Sequence, residues 1–261
     1  MIYVCIPSRD EAATLGPVLW KVQKVFRAFG REFRLVVFDD ASTDETVEIL
    51  ERYRDHLPLE VIRSDEPVGY GGAVDRLLRH VAEVAPYPKR DAAVVLQADL
   101  TEDPAALEDL VKMLEGGADV VAGSAVELPE DAPSPLRWGR RLAPWVLGRT
   151  WKGAPVQDPL CGLRAYRVIV LRKALRDDDS PFASSSAPWV ANLELLRRVA
   201  GFARRVEDLP LTTRYGLLAR ASRFRTVPVL RSLLGMRSLG WTADQLPRDH
   251  DAPGDDGERA A

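Results

Sequence analysis

The sequence has few cysteines and histidines, and it has no long apolar run. Two cysteines, Cys5 and Cys161, do not form a disulfide framework in a chain of 261 residues, and we expect both to be small apolar side chains. The three histidines show no metal-ligand spacing, so a zinc site is not expected. No uninterrupted apolar run reaches the roughly 18 residues that span a bilayer, and no basic flank follows Met1. We therefore expect a cytoplasmic protein without a membrane anchor of its own.

The composition favours one folded domain with additions. Hydrophobic residues make up 46% of the chain, which is enough to bury a large single core. The formal net charge of -3 argues against a general nucleic-acid binder, because such proteins neutralise phosphates with excess basic residues. The acidic end of the chain, residues 244–261, is expected to be disordered.

Short apolar runs alternate with helical patterns over the first 124 residues. Strands are predicted at 2–6, 34–38, 59–63, 92–97 and 119–122, and helices at 11–28, 43–54, 72–83 and 104–115. Continuous apolar runs are typical of strands that are buried on both faces of a parallel sheet. The order therefore predicts an α/β fold, with a mostly parallel central sheet flanked by helices and joined by right-handed crossovers.

The second half of the chain is less regular. Six prolines lie between residues 127 and 160, which predicts long loops around one short helix at 140–147. Helices are predicted again at 167–176 and 188–201, followed by a strand at 205–209.

Carboxylates follow two of the predicted strands at the point where each strand ends. The run before Gln97 and Ala98 ends on Asp99, and an earlier run ends on Asp39 and Asp40. Open parallel sheets bind ligands at the carboxyl ends of their strands. Asp39 and Asp40 could accept hydrogen bonds from a nucleobase or a ribose, and helix capping is the alternative role.

Two further segments belong to the same edge of the predicted sheet. Pro7, Arg9 and Glu11 follow the first strand, where Arg9 could meet a phosphate and Glu11 a base or ribose. Alternatively, the acidic residues there only favour a helix N-terminus. Gly69 and Gly71 follow the third strand, where glycines let the backbone approach an anionic ligand. Their spacing is not that of a dinucleotide fingerprint.

The segment from Gln97 to Asp103 offers oxygen ligands for a hard cation. Asp99, Gln97 and Thr101 are the candidate ligands for Mg²⁺ or Mn²⁺, which proteins often hold with one or two carboxylates and substrate phosphates. Capping of the next helix is the alternative role for Asp99, but Asp103 already stands beside Pro104 for that purpose.

Taken in order, these segments resemble family 2 glycosyltransferases with the Rossmann-like glycosyltransferase A fold. The matching segments are 7–15, 39–44, 69–73 and 97–104, and 158–165 and 206–214 resemble motifs of the dolichyl-phosphate mannose synthase branch. The resemblance covers about residues 2–225. It implies a catalytic domain (1–225) with a nucleotide-sugar-binding half (1–124) and an acceptor half (125–225). Composition adds an amphipathic segment (226–243) and the acidic tail (244–261).

The resemblance implies roles for individual residues. The donor pocket would comprise Pro7, Arg9, Glu11, Asp39, Asp40, Gly69, Gly71, Gln97, Ala98 and Asp99, and the catalytic positions would be Asp99, Asp158 and Arg164. The sequence departs from the family at two places, because Gln97 replaces the first acid of the usual Asp-x-Asp and Thr101 replaces a glutamine. Gln97 can coordinate through its carbonyl but carries no charge, so metal affinity should fall unless Glu102 or Asp103 contributes.

The implied reaction is inverting transfer of a sugar from a donor of the GDP-mannose or UDP-glucose type to a polyprenyl phosphate. Arginines suited to the acceptor phosphate are Arg137, Arg140, Arg214 and Arg223, and a solvated basic surface is their alternative role. Residues 226–241 fit a helix that lies on a membrane surface or one that packs on the core. We expect a cytoplasmic protein that can also be peripheral at the inner face of the membrane.

Two alternatives stay open at this point. The acceptor could be a soluble hydroxyl compound, in which case Asp158 is the candidate general base. The chain could also bind nucleotide sugars with weak or lost catalysis, which the neutral Gln97 suggests.

Overall fold

The computed structural model of the chain describes residues 1–125, 128–177, 182, 187–216, 226–237 and 239–247. The strands are β1 (Ile2–Ser8), β2 (Phe33–Asp40), β3 (Leu59–Ser64), β4 (Ala92–Val95), β5 (Val120–Ser124), β6 (Arg164–Arg167) and β7 (Val206–Pro210). The helices are α1 (Ala12–Phe29), α2 (Thr46–Arg54), α3 (Gly69–Val84), α4 (Ala106–Glu115), α5 (Ser134–Leu147), α6 (Arg149–Lys152), α7 (Val168–Ala174), α8 (Pro188–Ala200) and α9 (Thr226–Gly235). A 3-10 turn follows at Ala243–Gln245.

The strands form one sheet in the order β3-β2-β1-β4-β6-β5-β7. The pairs β1 with β2, β1 with β4, β2 with β3 and β5 with β7 are parallel. Strand β6 is antiparallel to both of its neighbours, β4 and β5. The predicted α/β fold with a mostly parallel central sheet is therefore confirmed. The order also brings the ends of β1, β2 and β4 together at one edge.

Helices cover both faces of the sheet, and β1 shows why. Its residues alternate between two core clusters, with Val4 and Ile6 in one and Tyr3 and Cys5 in the other. Helices α1, α2 and α4 pack in the first cluster, and α3, α7 and α8 pack in the second. Since both faces are buried, β1 has no polar alternation and is a continuous apolar run. Cys5 and Cys161 are both buried free thiols, as expected.

Strand β6 was not predicted. The sequence pattern favoured a helix at 167–176, whereas the structure has a strand at Arg164–Arg167 and a helix only from Val168. Two features conceal the strand: it has four residues, and it begins and ends with arginine. Arg164 nevertheless is 1% exposed, because its guanidinium is hydrogen-bonded inside the protein. A rule based on apolar runs does not recognise a buried charged strand.

The segment 127–160 is more helical than predicted. Helix α5 spans fourteen residues, Ser134–Leu147, and the short helix α6 follows it, where the sequence predicted loops around a short helix at 140–147. The prolines misled the prediction for a physical reason. Pro135 occupies the first turn, where a missing N–H is harmless, and Pro144 is accommodated within the helix.

Helix α9 packs on α5 and α8 through one side. Its buried residues Val229 and Leu233 join a cluster with Ala143, Val146 and Leu193. The amphipathic segment predicted at 226–243 therefore contacts the core. Within the described residues, no helix combines the length and apolarity needed to cross a membrane. Most of the acidic tail, residues 248–261, lies outside the described residues.

Candidate active site

A cavity of about 560 Å³ lies at the carboxyl edge of β1, β2 and β4. The predicted donor residues in its wall are Pro7, Arg9, Glu11, Asp40, Gly69, Gln97, Ala98 and Asp99. Two others, Asp39 and Gly71, do not line it. The cavity continues into the second half of the chain, so one space connects the predicted donor and acceptor sides.

The segments after β1 and β2 hold each other in place. Asp10 accepts a hydrogen bond from the Thr43 N–H (2.8 Å), and Asp44 accepts one from the Ala12 N–H (3.1 Å). The Glu11 N–H donates to the hydroxyl of Thr46 (2.9 Å). These crossed contacts cap α1 from the opposite segment and tie the turn before α2 to the segment after β1. They fix the backbone that presents Arg9 and Glu11 to the cavity.

Asp39 and Asp40 are both buried, and they have different partners. Asp39 forms an ion pair with Arg63 (3.2 Å between Oδ2 and Nε) and accepts the Ser42 N–H. Asp40 accepts the N–H groups of Val68 (2.6 Å) and Gly69 (3.0 Å) at the start of α3. Asp40 therefore caps α3 and not α2, which is the next helix in sequence. It also lines the cavity, so capping and ligand contact are compatible there.

The two glycines of the α3 N-terminus have different roles. Gly69 lines the cavity and has a φ of +76°, a backbone conformation that favours glycine. Gly71 faces the protein interior, where a Cβ would lie 3.3 Å from the Phe182 ring and 3.4 Å from Ala191. The structure therefore gives Gly71 a packing role, in contrast to the predicted contact with the donor.

Polar contacts orient the candidate metal ligands at the end of β4. The Oδ1 atom of Asp99 accepts the N–H (3.0 Å) and hydroxyl (2.6 Å) of Thr101. Glu102 accepts the backbone N–H of Gln97 (3.2 Å) and its side-chain amide (3.4 Å). Because the Gln97 amide nitrogen contacts Glu102, its carbonyl oxygen is the group left to coordinate a cation. Thr101 orients Asp99, and its role as a ligand stays a prediction.

Glu102 is a buried carboxyl group in the cavity wall. Burial, with the nearby charge of Asp99, raises its pKa to about 7. It also accepts the Leu163 N–H (3.0 Å), which connects it to the segment before β6. Two carboxyl groups, Asp99 and Glu102, therefore lie close together beside Gln97. The sequence indicates Glu102 only as a possible contributor to the metal site, because its contacts with Gln97 depend on the conformation of the turn between them.

The floor of the cavity is built by residues that sequence analysis missed. The Tyr70 hydroxyl donates to the side chain of Asn192 (3.0 Å), whose amide donates to the Leu160 carbonyl (2.9 Å). Gly162 lies against them, and all four residues line the cavity. Gly162 lies inside the motif at 158–165. A glycine within such a motif is the sequence signal that could have identified it. Asn192 on α8 gave no sequence pattern.

Arg164 lies beneath this floor and does not line the cavity. Its guanidinium donates to the backbone carbonyls of Asn192 (2.5 Å) and Pro159 (2.6 Å). The structure therefore does not place Arg164 at the predicted catalytic position. Arg164 is a positioning residue that holds the segment carrying Gly162 and the helix carrying Asn192.

Asp158 is fully buried and is not part of the cavity wall. Its carboxylate accepts the N–H groups of Ala125 (3.1 Å) and Leu160 (3.0 Å) and pairs with the Arg140 guanidinium. A base must reach the proton it removes. The structure therefore argues against the catalytic role predicted for Asp158 and gives it the role of holding Arg140.

The four arginines predicted for the acceptor phosphate are in different environments. Arg140 lines the cavity, and its guanidinium lies 5.4 Å from the centroid of the Trp189 ring. Arg137 is exposed on α5, and Arg214 pairs with Asp103 (3.0 Å); neither lines the cavity. Arg223 lies outside the described residues. Of the four, Arg140 alone is in the described wall of the cavity.

Apolar side chains form much of the acceptor side of the cavity. They come from the segment after β5, from α5, from the segment before β6, from α8 and the residue before it, and from α9: Leu128, Leu136, Leu160, Ala187, Pro188, Trp189, Pro228 and Val229. Such a wall suits a hydrocarbon group better than a polar one.

Comparison with known proteins identifies the family of this chain. The model of the family described as glycosyl transferase family 2 matches residues 3–175. The chain belongs to glycosyl transferase family 2. Structures similar to this family 2 chain share its architecture, which confirms the glycosyltransferase A fold.

Curated relatives support the same family. The chain is 30% identical over 206 residues to undecaprenyl-phosphate 4-deoxy-4-formamido-L-arabinose transferase of Pseudomonas paraeruginosa. This match covers 78% of the family 2 chain and 55% of the relative. The chain therefore spans about half the length of the curated relatives it matches.

Two solved structures show the fold likeness. Glucosyl-3-phosphoglycerate synthase from Mycobacterium tuberculosis, in complex with Mn²⁺, UDP-glucose and phosphoglyceric acid, has a TM-score of 0.59 and 19% identity, covering 95% of this chain and 80% of that one. S. aureus TarS in complex with UDP-GlcNAc has a TM-score of 0.53 and 20% identity, covering 89% and 65%.

Replacement of Gly162 by alanine tests the cavity floor of this family 2 chain. A Cβ there would lie 3.0 Å from the Tyr70 hydroxyl, 3.1 Å from the Gln97 amide and 3.3 Å from the Asn192 amide. These side-chain ends would have to shift, so we expect kcat/KM to fall about tenfold with a small loss of stability. Gly235→Ala is the matched control, because nothing lies within 4 Å of its Cβ. Equal rates for both variants would contradict the assignment.

Proposed function

We propose that this chain transfers a sugar from a nucleotide diphosphate to a polyprenyl phosphate, with inversion at the anomeric carbon. The observation that carries the proposal is that one cavity has two kinds of wall. Polar residues of β1, β2 and β4 form one side, and apolar residues with Arg140 form the other. A phosphate attached to a hydrocarbon chain matches the second side in both charge and apolarity.

The donor would bind at the polar side. Arg9 would contact the diphosphate, and Glu11 and Asp40 would accept hydrogen bonds from the nucleoside. At the start of α3 the N–H groups of Val68 and Gly69 already donate to Asp40, so this helix contributes a close approach of the Gly69 backbone to the donor. Each of these groups is held by contacts within the protein, so the donor would meet a preformed site.

Gln97, Asp99 and Glu102 would hold a divalent cation, Mg²⁺ or Mn²⁺. The residues fit this role, because Gln97, Asp99 and Glu102 all carry oxygen ligands and all line the cavity. Within the described residues, no cluster of three or more histidine, cysteine, aspartate or glutamate side chains is suited to a metal. Two carboxylates completed by substrate phosphates are a usual arrangement for these cations. When bound, the cation would neutralise charge on the leaving diphosphate.

The acceptor phosphate would be held by Arg140. The Asp158 carboxylate and the Ala125 carbonyl both contact Nη2 of this arginine. The guanidinium also carries N–H donors on Nε and Nη1. Asp158 would thereby fix the direction of the guanidinium while the apolar wall takes the polyprenyl chain.

This acceptor does not require a general base. A phosphate monoester has a second pKa near 6, so its oxygen is already a nucleophile at neutral pH. A bond forms between that oxygen and the anomeric carbon while the bond from carbon to the diphosphate breaks. Asp158, the base predicted for a soluble hydroxyl acceptor, does not line the cavity, so its position gives that alternative no support.

The printed name of the Pseudomonas relative, an undecaprenyl-phosphate transferase, supports the same acceptor class. That name leaves the sugar open for this chain. We further propose that the protein works as a peripheral protein at the inner face of the membrane, where a polyprenyl phosphate is held.

Turnover with a short polyprenyl phosphate tests the proposal. The purified protein would be incubated with labelled GDP-mannose, UDP-glucose or a nucleotide-linked 4-deoxy-4-formamido-L-arabinose, with Mn²⁺ or with EDTA. We expect a labelled lipid from at least one donor and a large loss of rate in EDTA. Nucleotide binding without lipid-linked product from any donor would refute the proposal and favour a binding protein with lost catalysis.

A further inference from the structure

Large apolar side chains are exposed on one side of α5 and α9. On α5, Trp138, Leu142 and Trp145 are 60%, 39% and 69% exposed, and their spacing of four and three residues places them on one helix face. On α9, Val227 is 76% exposed and Leu234 is 48% exposed. We name these five residues the outer apolar face.

The two helices carry this face side by side. Near their N-terminal ends, the Thr226 hydroxyl donates to the Pro135 carbonyl (2.8 Å). Near their C-terminal ends, the Arg237 guanidinium lies 5.4 Å from the centroid of the Trp145 ring. The helices are therefore neighbours along their length, and their exposed residues belong to one surface.

The charge around this surface has one sign. Residues 134–157 contain four arginines and one lysine, and residues 226–243 contain two arginines. Neither segment contains an aspartate or a glutamate, although the chain has 39 acidic residues and a net charge of -3. Arg137 and Arg141 on α5 and Arg231 on α9 are exposed. The acids that border these segments include Asp131, which accepts the Gly216 N–H.

The same two helices reach the cavity with their inner sides. Leu136 and Arg140 of α5, and Pro228, Val229 and Ser232 of α9, line the cavity. The outer apolar face and the acceptor side of the cavity therefore lie on opposite sides of one helix pair.

We infer that the outer apolar face and its arginines dock the protein on a bilayer that contains anionic lipid. Tryptophan rings prefer the boundary between hydrocarbon and headgroups, and arginines there attract anionic headgroups. A protein partner would also explain the exposed apolar residues. The two segments, however, contain basic residues and no carboxylates, and this charge is complementary to an anionic lipid surface. The inference rests on the proposed function, since it places the cavity next to a membrane-held acceptor.

Vesicle binding by the full chain tests the inference. Vesicles of phosphatidylcholine alone would be compared with vesicles that contain roughly one third phosphatidylglycerol. We expect cosedimentation with the anionic vesicles and about tenfold weaker binding to the neutral ones. Trp138→Ala/Trp145→Ala should weaken binding to anionic vesicles about tenfold or more. Arg141→Glu/Arg231→Glu should remove the preference for anionic lipid.

Matched controls come from another surface of the protein. Trp20 is a 53% exposed tryptophan on α1, and Arg27 and Arg52 are exposed on α1 and α2. Trp20→Ala and Arg27→Glu/Arg52→Glu should bind vesicles like the unchanged protein. Equal binding by the double tryptophan variant and the unchanged protein would overturn the inference. The inference would also be overturned if the double tryptophan variant changed the mass of the protein in sedimentation without changing vesicle binding. The outer apolar face would then be an interface between copies of the chain.

Failure of the docking inference and failure of the proposed function give different results. The double tryptophan variant should keep turnover with a water-soluble short polyprenyl phosphate and lose it with a long-chain acceptor in vesicles. Vesicle binding without turnover from any acceptor would leave the docking surface in place and refute the transferase. Turnover with the soluble acceptor but no vesicle binding would refute the docking surface alone.

Discussion

Replacement of Asp99 by asparagine is expected to lower kcat/KM by about 10² to 10³ while the protein stays folded. Asparagine keeps an oxygen that can accept the N–H and hydroxyl of Thr101, so the turn after β4 persists. It removes a negative charge from the cavity wall. Because Gln97 is neutral, the charge at the end of β4 in this wall then depends on Glu102 alone.

The measurement is the initial rate with the donor that works best, at several Mn²⁺ concentrations. The variant should need more Mn²⁺ and should not reach the full rate, because both cation and diphosphate are held less firmly. Asp103→Asn is the matched control, since Asp103 contacts the Ala105 N–H and Arg214 and does not line the cavity. A rate for the Asp99 variant within threefold of the control would contradict the assignment of Asp99.

The donor side of the cavity was predictable from the sequence because it depends on topology. Parallel strands that are joined by right-handed crossovers deliver the residues after each strand to one edge, whatever the details of packing. Pro7, Asp40 and Asp99 lie in the cavity wall for this reason. Asp39 shows the limit of the argument: it is adjacent to Asp40 in β2, so its side chain points to the other face, where it meets Arg63.

The acceptor side was less predictable because it depends on contacts between distant segments. Asp158 and Arg140 are 18 residues apart, and no periodicity links a loop carboxylate to a helix arginine. Tyr70 and Asn192 are separated by 122 residues and meet by a hydrogen bond across the cavity floor. Sequence patterns identified basic and acidic residues in this half, but they did not separate those in the cavity wall from those beneath it or on the surface.

Replacement of Arg140 by methionine is expected to destabilise the protein by about 3–5 kcal/mol. The Arg140 and Asp158 side chains are 10% and 1% exposed, so the change leaves a carboxylate buried without its charge partner. The N–H groups of Ala125 and Leu160 still donate to that carboxylate, but they do not replace a full positive charge. The measurement is thermal or urea unfolding without ligand. Arg137→Met is the control, because Arg137 is exposed on the same helix and should cost less than about 0.5 kcal/mol.

A second variant separates the role of the pair in stability from a role of Asp158 as a base. In Arg140→Met/Asp158→Asn neither member of the pair carries a charge, so the double variant should be more stable than Arg140→Met alone. If Asp158 were a base, Asp158→Asn would lose activity with unfolding unchanged, and its rate would lose a dependence on pH. If Asp158 instead holds Arg140, as its contacts indicate, Asp158→Asn should lose stability and raise the KM for the acceptor together. A stable, inactive Asp158→Asn protein would therefore support Asp158 as a general base and favour a hydroxyl acceptor.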